Sequence, residues 1–175
     1  DLHLKYKLGR TLLAREGQPE SAWLDTPVAY YREANIRLIT DAIRYAKSCG
    51  LERIEFAAED ASRGHLDYTL EWAEACIAAG GTRFCFSDTC GVFTPEAVDH
   101  YFPPIVEALG VKAGRVQLTA HFHNDFGLGA INTVRAVLHG ATHPSLTANG
   151  IGERAGNASL EEVVMAMRTR GDYYP

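Results

Sequence analysis

Val116-Gln-Leu-Thr-Ala-His121-Phe-His123-Asn-Asp125 is an apolar run that ends in a cluster of chemistry-bearing side chains. The same pattern recurs outward from it in both directions. Arg53-Ile-Glu-Phe-Ala-Ala-Glu59 and Arg83-Phe-Cys-Phe-Ser-Asp88 precede it, and Ser145-Leu-Thr-Ala-Asn149 follows. With Glu59, Asp88, His121 and Asn149 as markers, the intervals are 29, 33 and 28 residues. A short strand every thirty or so residues, with room for a helix between, is the pattern of βαβ units in a parallel sheet.

The intervals read as helices. Leu66, Leu70, Ala73 and Ile77 follow a 3.6-residue period that Gly80-Gly81 stops. Thr94 and Pro95 open the next helix as cap and first-turn residue, leading into Val98, Tyr101 and Ile105. Leu128, Ile131, Val134, Val137 and Leu138 form a third, closed by Gly140, and Leu160, Val163, Val164 and Met167 a fourth. Upstream, Thr26-Pro27 begins a long helical pattern through Ile36, Ile39, Ile43 and Ala46 to Gly50. Residues 15–25 read as a polar loop insertion, and Asp1-Leu-His3 as the frayed end of an earlier strand.

Such units build either an open doubly wound sheet or an eight-unit barrel. No strand is followed by GxGxxG or GxxxxGK[ST]. The polar residues gather at the carboxyl ends of the strands, where barrels place their sites. A barrel takes about 250 residues, and this chain has 175. The expectation is therefore an α/β chain forming a partial (β/α)8 TIM barrel. It would hold the last four to five βα units, with the first three strands absent. Residues 1–175 would then be the C-terminal portion of a single catalytic domain.

Composition narrows the function classes. Hydrophobic residues make up 46% and charged residues 22%, an ordinary globular balance. Seventeen Lys and Arg against 22 Asp and Glu give a formal charge of −5, which offers no footprint for nucleic acid or an anionic membrane. No apolar stretch approaches the ~18 residues of a spanning helix. The four cysteines form no CxxC, and they read as reduced thiols of a cytoplasmic protein.

Four stretches carry chemistry. His121 and His123 lie two apart on a strand, so both project to one face at roughly 3.3 Å rise per residue. Two readings stand, a shared divalent cation or a hydrogen-bonded histidine pair. Asn149-Gly-Ile-Gly152-Glu153-Arg154-Ala-Gly-Asn157 lets backbone approach a ligand closely, or else is a solvated turn. In Ser87-Asp88-Thr89-Cys90-Gly91, Thr89 can donate to a substrate carboxylate, or Asp88 and Thr89 form the turn. In Glu59-Asp60-Ala-Ser-Arg63, a buried Glu59 would have a raised pKa and act as a base, and Asp60 with Arg63 would hold the loop.

Together these motifs resemble the metal-dependent acyl-CoA barrel family that contains 2-isopropylmalate synthase, homocitrate synthase, citramalate synthase and HMG-CoA lyase. The markers are Asp1-Leu-His3, Glu59-Asp60-Ala-x-Arg63, Asp88-Thr-x-Gly91, His121-x-His123-Asn-Asp125 and Gly150-x-Gly-Glu-Arg-Ala-Gly-Asn157. His123-Asn-Asp125, Glu153-Arg154 and the tail around Glu161 to Arg170 are most similar to the isopropylmalate synthases among them. The resemblance implies a Claisen-type condensation of acetyl-CoA with a 2-oxo acid to a 2-alkylmalate, as in leucine biosynthesis. Homocitrate or citramalate synthesis, lyase-type cleavage and a non-catalytic partial barrel are the other possibilities. It further implies that His121, His123 and Asn157 serve a divalent cation (Mg, Mn or Zn), with an acid from an upstream strand. Thr89 would bind the substrate carboxylate, Glu59 would be the base, and Gly152, Glu153 and Arg154 would border the thioester. Homocitrate synthases often carry Arg where Glu55 stands, so a monocarboxylic acid such as 2-oxoisovalerate fits better. Ala57 replaces a Ser common in the oxo-acid pocket. Members are typically homodimers, and a chain without the upstream strands would be inactive alone.

Overall fold

The computed structural model describes residues 2–19, 21–169 and 171, with the side chains of Leu2 and Ala14 left aside. Three helices come first: α1 (Leu2–Arg15), α2 (Ala22–Asp25) and α3 (Val28–Ser48). Four strands then alternate with helices: β1 (Glu55–Ala58), α4 (Leu66–Ala79), β2 (Arg83–Asp88), α5 (Pro95–Ala108), β3 (Gln117–Phe122), α6 (Gly129–His139), β4 (His143–Ser145) and α7 (Leu160–Thr169). All pairings are parallel, in the order β1-β2-β3-β4.

The punctuation acts as the sequence indicates. The Thr94 hydroxyl accepts the Ala97 amide 3.4 Å away and caps α5, with Pro95 in its first turn. Gly80 and Gly140 end α4 and α6 at φ of 110° and 113°, a left-handed conformation that only glycine adopts without strain.

Strand alternation sorts side chains into two faces. Phe56, Phe84, Phe86, Leu118, Ala120 and Phe122 point to the helix layer and are buried there with Ile43, Trp72, Val98, Phe102 and Ile105. The aromatic rings pack in stacked, tilted and edge contacts; Phe56 stacks on Phe84, and Phe102 lies 5.3 Å from Phe86 and 5.9 Å from Phe122, centroid to centroid. The opposite face carries transverse rows set by the register. Glu55, Arg83 and Gln117 form the first, Ala57, Cys85, Thr119 and His143 the next, and Ser87, His121 and Ser145 the last. A parallel sheet with helices packed on one face in strand order β1-β2-β3-β4 is consistent with one side of a barrel.

Three expectations are corrected. Residues 2–3 belong to helix α1 and not to a strand end, because Leu4, Leu8 and Leu12 recur every fourth residue as a helical stripe; Asp1 lies outside the described residues. The polar stretch 15–25 contains the short helix α2. The fourth strand is His143–Ser145, earlier than residues 145–149, and Ala148–Gly150 forms a 3-10 turn. Thr147 and Ser159 restore one parallel bridge beyond it.

Candidate functional site

The carboxyl ends of the four strands bring the motifs together. His121 and His123 converge as their spacing indicates, with Nε2 atoms 3.2 Å apart. His121 Nδ1 is 3.0 Å from Ser145 Oγ, its register partner on β4. In the tautomer that donates Nδ1–H to that hydroxyl, His121 keeps an Nε2 lone pair facing His123. Burial, and then the His123 ring, push the His121 imidazole below its usual pKa, which favours the neutral form a metal needs.

The residues present fit a divalent cation. Two imidazole nitrogens held about 2.0–2.1 Å from one ion come to about 3–3.4 Å from each other, the separation found here. Asn157 forms an antiparallel bridge with His123, and its Oδ1 is a buried oxygen with no hydrogen-bond partner, as is His123 Nδ1 on the nitrogen side. Among the described residues no group of three His, Cys, Asp or Glu side chains forms a metal cluster. The donors the described residues offer at this point are the two rings and the Asn157 amide oxygen.

Asp88 is fully buried, and its carboxylate accepts the amides of Val92 at 3.1 Å and Phe93 at 3.0 Å. It is a turn former, and it holds the loop that presents Thr89. Thr89 Oγ1 accepts the Asp60 amide at 2.8 Å, which leaves its own hydroxyl proton free to donate. Asp60, buried and at φ 60°, receives two bonds from Arg63 at 2.8 and 2.6 Å. Its ion pair with Arg63 is therefore real. Glu59 departs from expectation: its side chain is 54% exposed and paired with Lys7 at 3.2 Å. The chain turns after Ala58 so that Asp60, and not Glu59, enters the interior.

The glycine loop crosses the same end. Gly156 has φ 89°, and a Cβ there would stand 2.1 Å from the Gly150 carbonyl oxygen. Gly152 packs against the Asn157 amide, with an added Cβ 2.8 Å from its Cγ. Glu153 is exposed. Arg154 donates from Nε and Nη2 to both oxygens of Asp125, at 2.8 and 2.9 Å, and from Nη2 to the Thr89 carbonyl at 2.6 Å.

Below the histidines, Cys85 is buried and its thiol is pushed up to about 11 by that burial, so it is uncharged at neutral pH. Thr119 donates to Glu55 Oε2 at 2.8 Å, with Arg83 3.7 Å from the same oxygen. Sequence reasoning missed Ser145, Asp125 as the Arg154 partner, and Cys85. For Ser145 a signal existed, since one correct register would have set it opposite His121.

The HMGL-like family model matches residues 23–174. A 2-isopropylmalate synthase of Carboxydothermus hydrogenoformans is 38% identical over the whole chain, which covers 30% of that protein. A probable 2-isopropylmalate synthase of Ignicoccus hospitalis is 40% identical over 95% of the chain and 36% of its own length. Among solved structures, the hydroxymethylglutaryl-CoA lyase of Pseudomonas aeruginosa aligns with a TM-score of 0.66 at 16% identity, over 79% of this chain and 49% of that one. The chain belongs to the HMGL-like family, and it spans about a third of the length of the curated relatives it matches.

Proposed function

We propose that this chain is the later part of a (β/α)8 barrel whose first three strands lie upstream, and that residues 1–175 form the C-terminal portion of one catalytic domain. The reaction we propose is condensation of acetyl-CoA with a 2-oxo acid, 2-oxoisovalerate by preference, to a 2-alkylmalate and CoA. The observation that carries this reading is the convergence of His121 and His123 at the strand ends, with Nε2 atoms 3.2 Å apart.

His121, His123 and the Asn157 amide oxygen would hold a divalent cation (Mg, Mn or Zn). Bound there, the cation supplies Lewis-acid polarisation of the keto carbonyl. The Thr89 hydroxyl donates to the substrate carboxylate, with its orientation fixed by the Asp60 amide. Glu59, exposed at the rim and paired with Lys7, would be the base that removes a proton from the acetyl methyl, acting without the burial first expected of it. The new C–C bond joins that carbon to the keto carbon, the keto oxygen gains a proton, and water cleaves the thioester to release CoA. The loop that carries Gly152, Glu153 and Arg154 borders the thioester through Gly152 and Glu153.

The neutral Ala57 and Cys85 row supports a substrate with an apolar tail, since the one cation in the row beneath, Arg83, already lies beside the Glu55 carboxylate. The chemistry suits leucine biosynthesis in the cytoplasm by a homodimer, and this chain alone would be inactive. The unpaired state of all four cysteines supports a reducing compartment, and no described helix is long and apolar enough to cross a membrane.

The test uses the intact polypeptide with acetyl-CoA, Mg²⁺ or Mn²⁺ and a panel of 2-oxo acids, following thiol release. Branched monocarboxylic acids are expected to turn over fastest. Turnover of 2-oxoglutarate with none of 2-oxoisovalerate would overturn the assignment. Unchanged metal stoichiometry in His121→Ala and His123→Ala variants would remove the cation site.

A further inference from the structure

We propose that Arg154 is a positioning residue, a latch that fastens the glycine loop 150–157 across the ends of β2 and β3 and so sets Asn157 and the Thr89 hydroxyl. The inference refines the reading above and rests on it for what the site holds.

Three bonds define the latch. Nε and Nη2 grip both oxygens of Asp125 in a fork, and Nη2 also reaches the Thr89 carbonyl. A guanidinium already engaged by a carboxylate in this way has its anion-recognising edge filled. Its remaining nitrogen, Nη1, lies 3.7 Å from the Glu153 carboxylate. Arg154 is thus turned toward acids of its own chain.

The backbone agrees. Arg154 has φ 53°, a left-handed conformation that a non-glycine residue keeps only where its surroundings impose it. Gly91, at φ 62°, brings the loop after β2 so close that a Cβ there would lie 2.6 Å from Asp125 Oδ2. On the other side, the Asn124 amide donates to the Gly156 carbonyl at 2.9 Å, and the Asn157 amide to the Gly150 carbonyl at 3.0 Å. Since the Asp60 amide donates to Thr89 Oγ1, one chain of hydrogen bonds ties the loops that follow all four strands. Arg154 is the member that joins the fourth loop to the second, and it adds a side-chain fork to the backbone bonds that join the fourth to the third.

The experiment uses the intact protein with Arg154→Lys, Arg154→Ala, Asp125→Asn, Asp125→Ala and the double alanine variant. Binding of Mn²⁺ alone is measured first, then kcat and KM for each substrate, and amide hydrogen exchange over residues 150–157. Loss of a group that orients metal donors weakens binding about 10- to 100-fold, and that loss is expected for each alanine variant. The double variant should be no weaker than the weaker single, because both act through one contact. Arg154→Lys, which keeps the charge and one bond, should recover part of the loss. Exchange at Asn157 should quicken with the β2 amides unchanged, and kcat should fall with KM for acetyl-CoA held.

A rise in KM for acetyl-CoA in Arg154→Ala that Asp125→Ala does not reproduce would overturn the latch and make Arg154 a ligand contact. Additive losses in the double variant would overturn it equally. The Mn²⁺ and exchange measurements need no substrate, so failure of every 2-oxo acid would sink the proposed reaction and still leave the latch tested.

Discussion

Replacing Asp88 puts the most stress on the argument that the strand-end loops are held from inside. Its carboxylate is fully buried and accepts two backbone amides, Phe93 in a buried bond at 3.0 Å and Val92 in a part-buried one at 3.1 Å. Asp88→Ala strips both amides of their acceptor, the Phe93 one in a buried position and the Val92 one in a part-buried position. An orphaned buried donor costs about 1–3 kcal/mol, and Val92 recovers some hydration, so the total is about 2–5 kcal/mol. Asp88→Asn retains one carbonyl oxygen, turns an NH2 toward the other amide, and costs about 1–3 kcal/mol by the same reasoning. Urea unfolding followed by tryptophan fluorescence measures both, because Trp72 is buried between Phe56 and Phe84 in the core. The expected order is wild type, Asn, Ala in falling midpoint, with the slope unchanged. An Asp88→Ala variant within about 0.5 kcal/mol of the parent, the range of ordinary surface changes, would refute the reasoning.

Other substitutions test neighbouring claims. Gly156→Ala should open the glycine loop, since its φ of 89° and the 2.1 Å approach to the Gly150 oxygen leave no room for a methyl; unchanged hydrogen exchange at Asn157 would contradict this. Ser145→Ala frees His121 Nδ1 and should weaken Mn²⁺ binding about 10-fold or more, read by titration. Arg115 grips Glu74 through two bonds and holds its carboxyl below the usual glutamate range. A carboxyl with a lowered folded pKa contributes stability above its ordinary range and loses it as pH falls through the folded value. Glu74→Gln should therefore flatten the acid limb of the stability profile and remove about 0.2–1 kcal/mol at neutral pH, as for an exposed pair. An unchanged acid limb would dismiss the pair.

The helices and three of the strands were legible because their ends are written in residues of few conformations, such as Gly80, Gly140 and the Thr94-Pro95 pair. Helix α1 was not, because a three-residue marker outweighed the Leu4, Leu8, Leu12 stripe. β4 has only three residues, too few for alternation to fix a register. The histidine pair was readable because period 2 is local. The bonds from His121 to Ser145 and from Arg154 to Asp125 span 24 and 29 residues, and nothing local announces such pairings. The exposure of Glu59 was hidden for a related reason: whether a side chain after Ala58 turns in or out depends on the left-handed Asp60, which one-dimensional patterning does not reveal.

The two faces of the sheet divide labour cleanly. Phe56, Phe84, Phe86 and Phe122 form the wall that holds the helices, while Ala57, Cys85 and His143 share a row on the other face. Substitutions in the second set therefore leave the aromatic contacts of the first in place. The face that carries the strand-end groups can thus change residue by residue while the aromatic scaffold stays as it is.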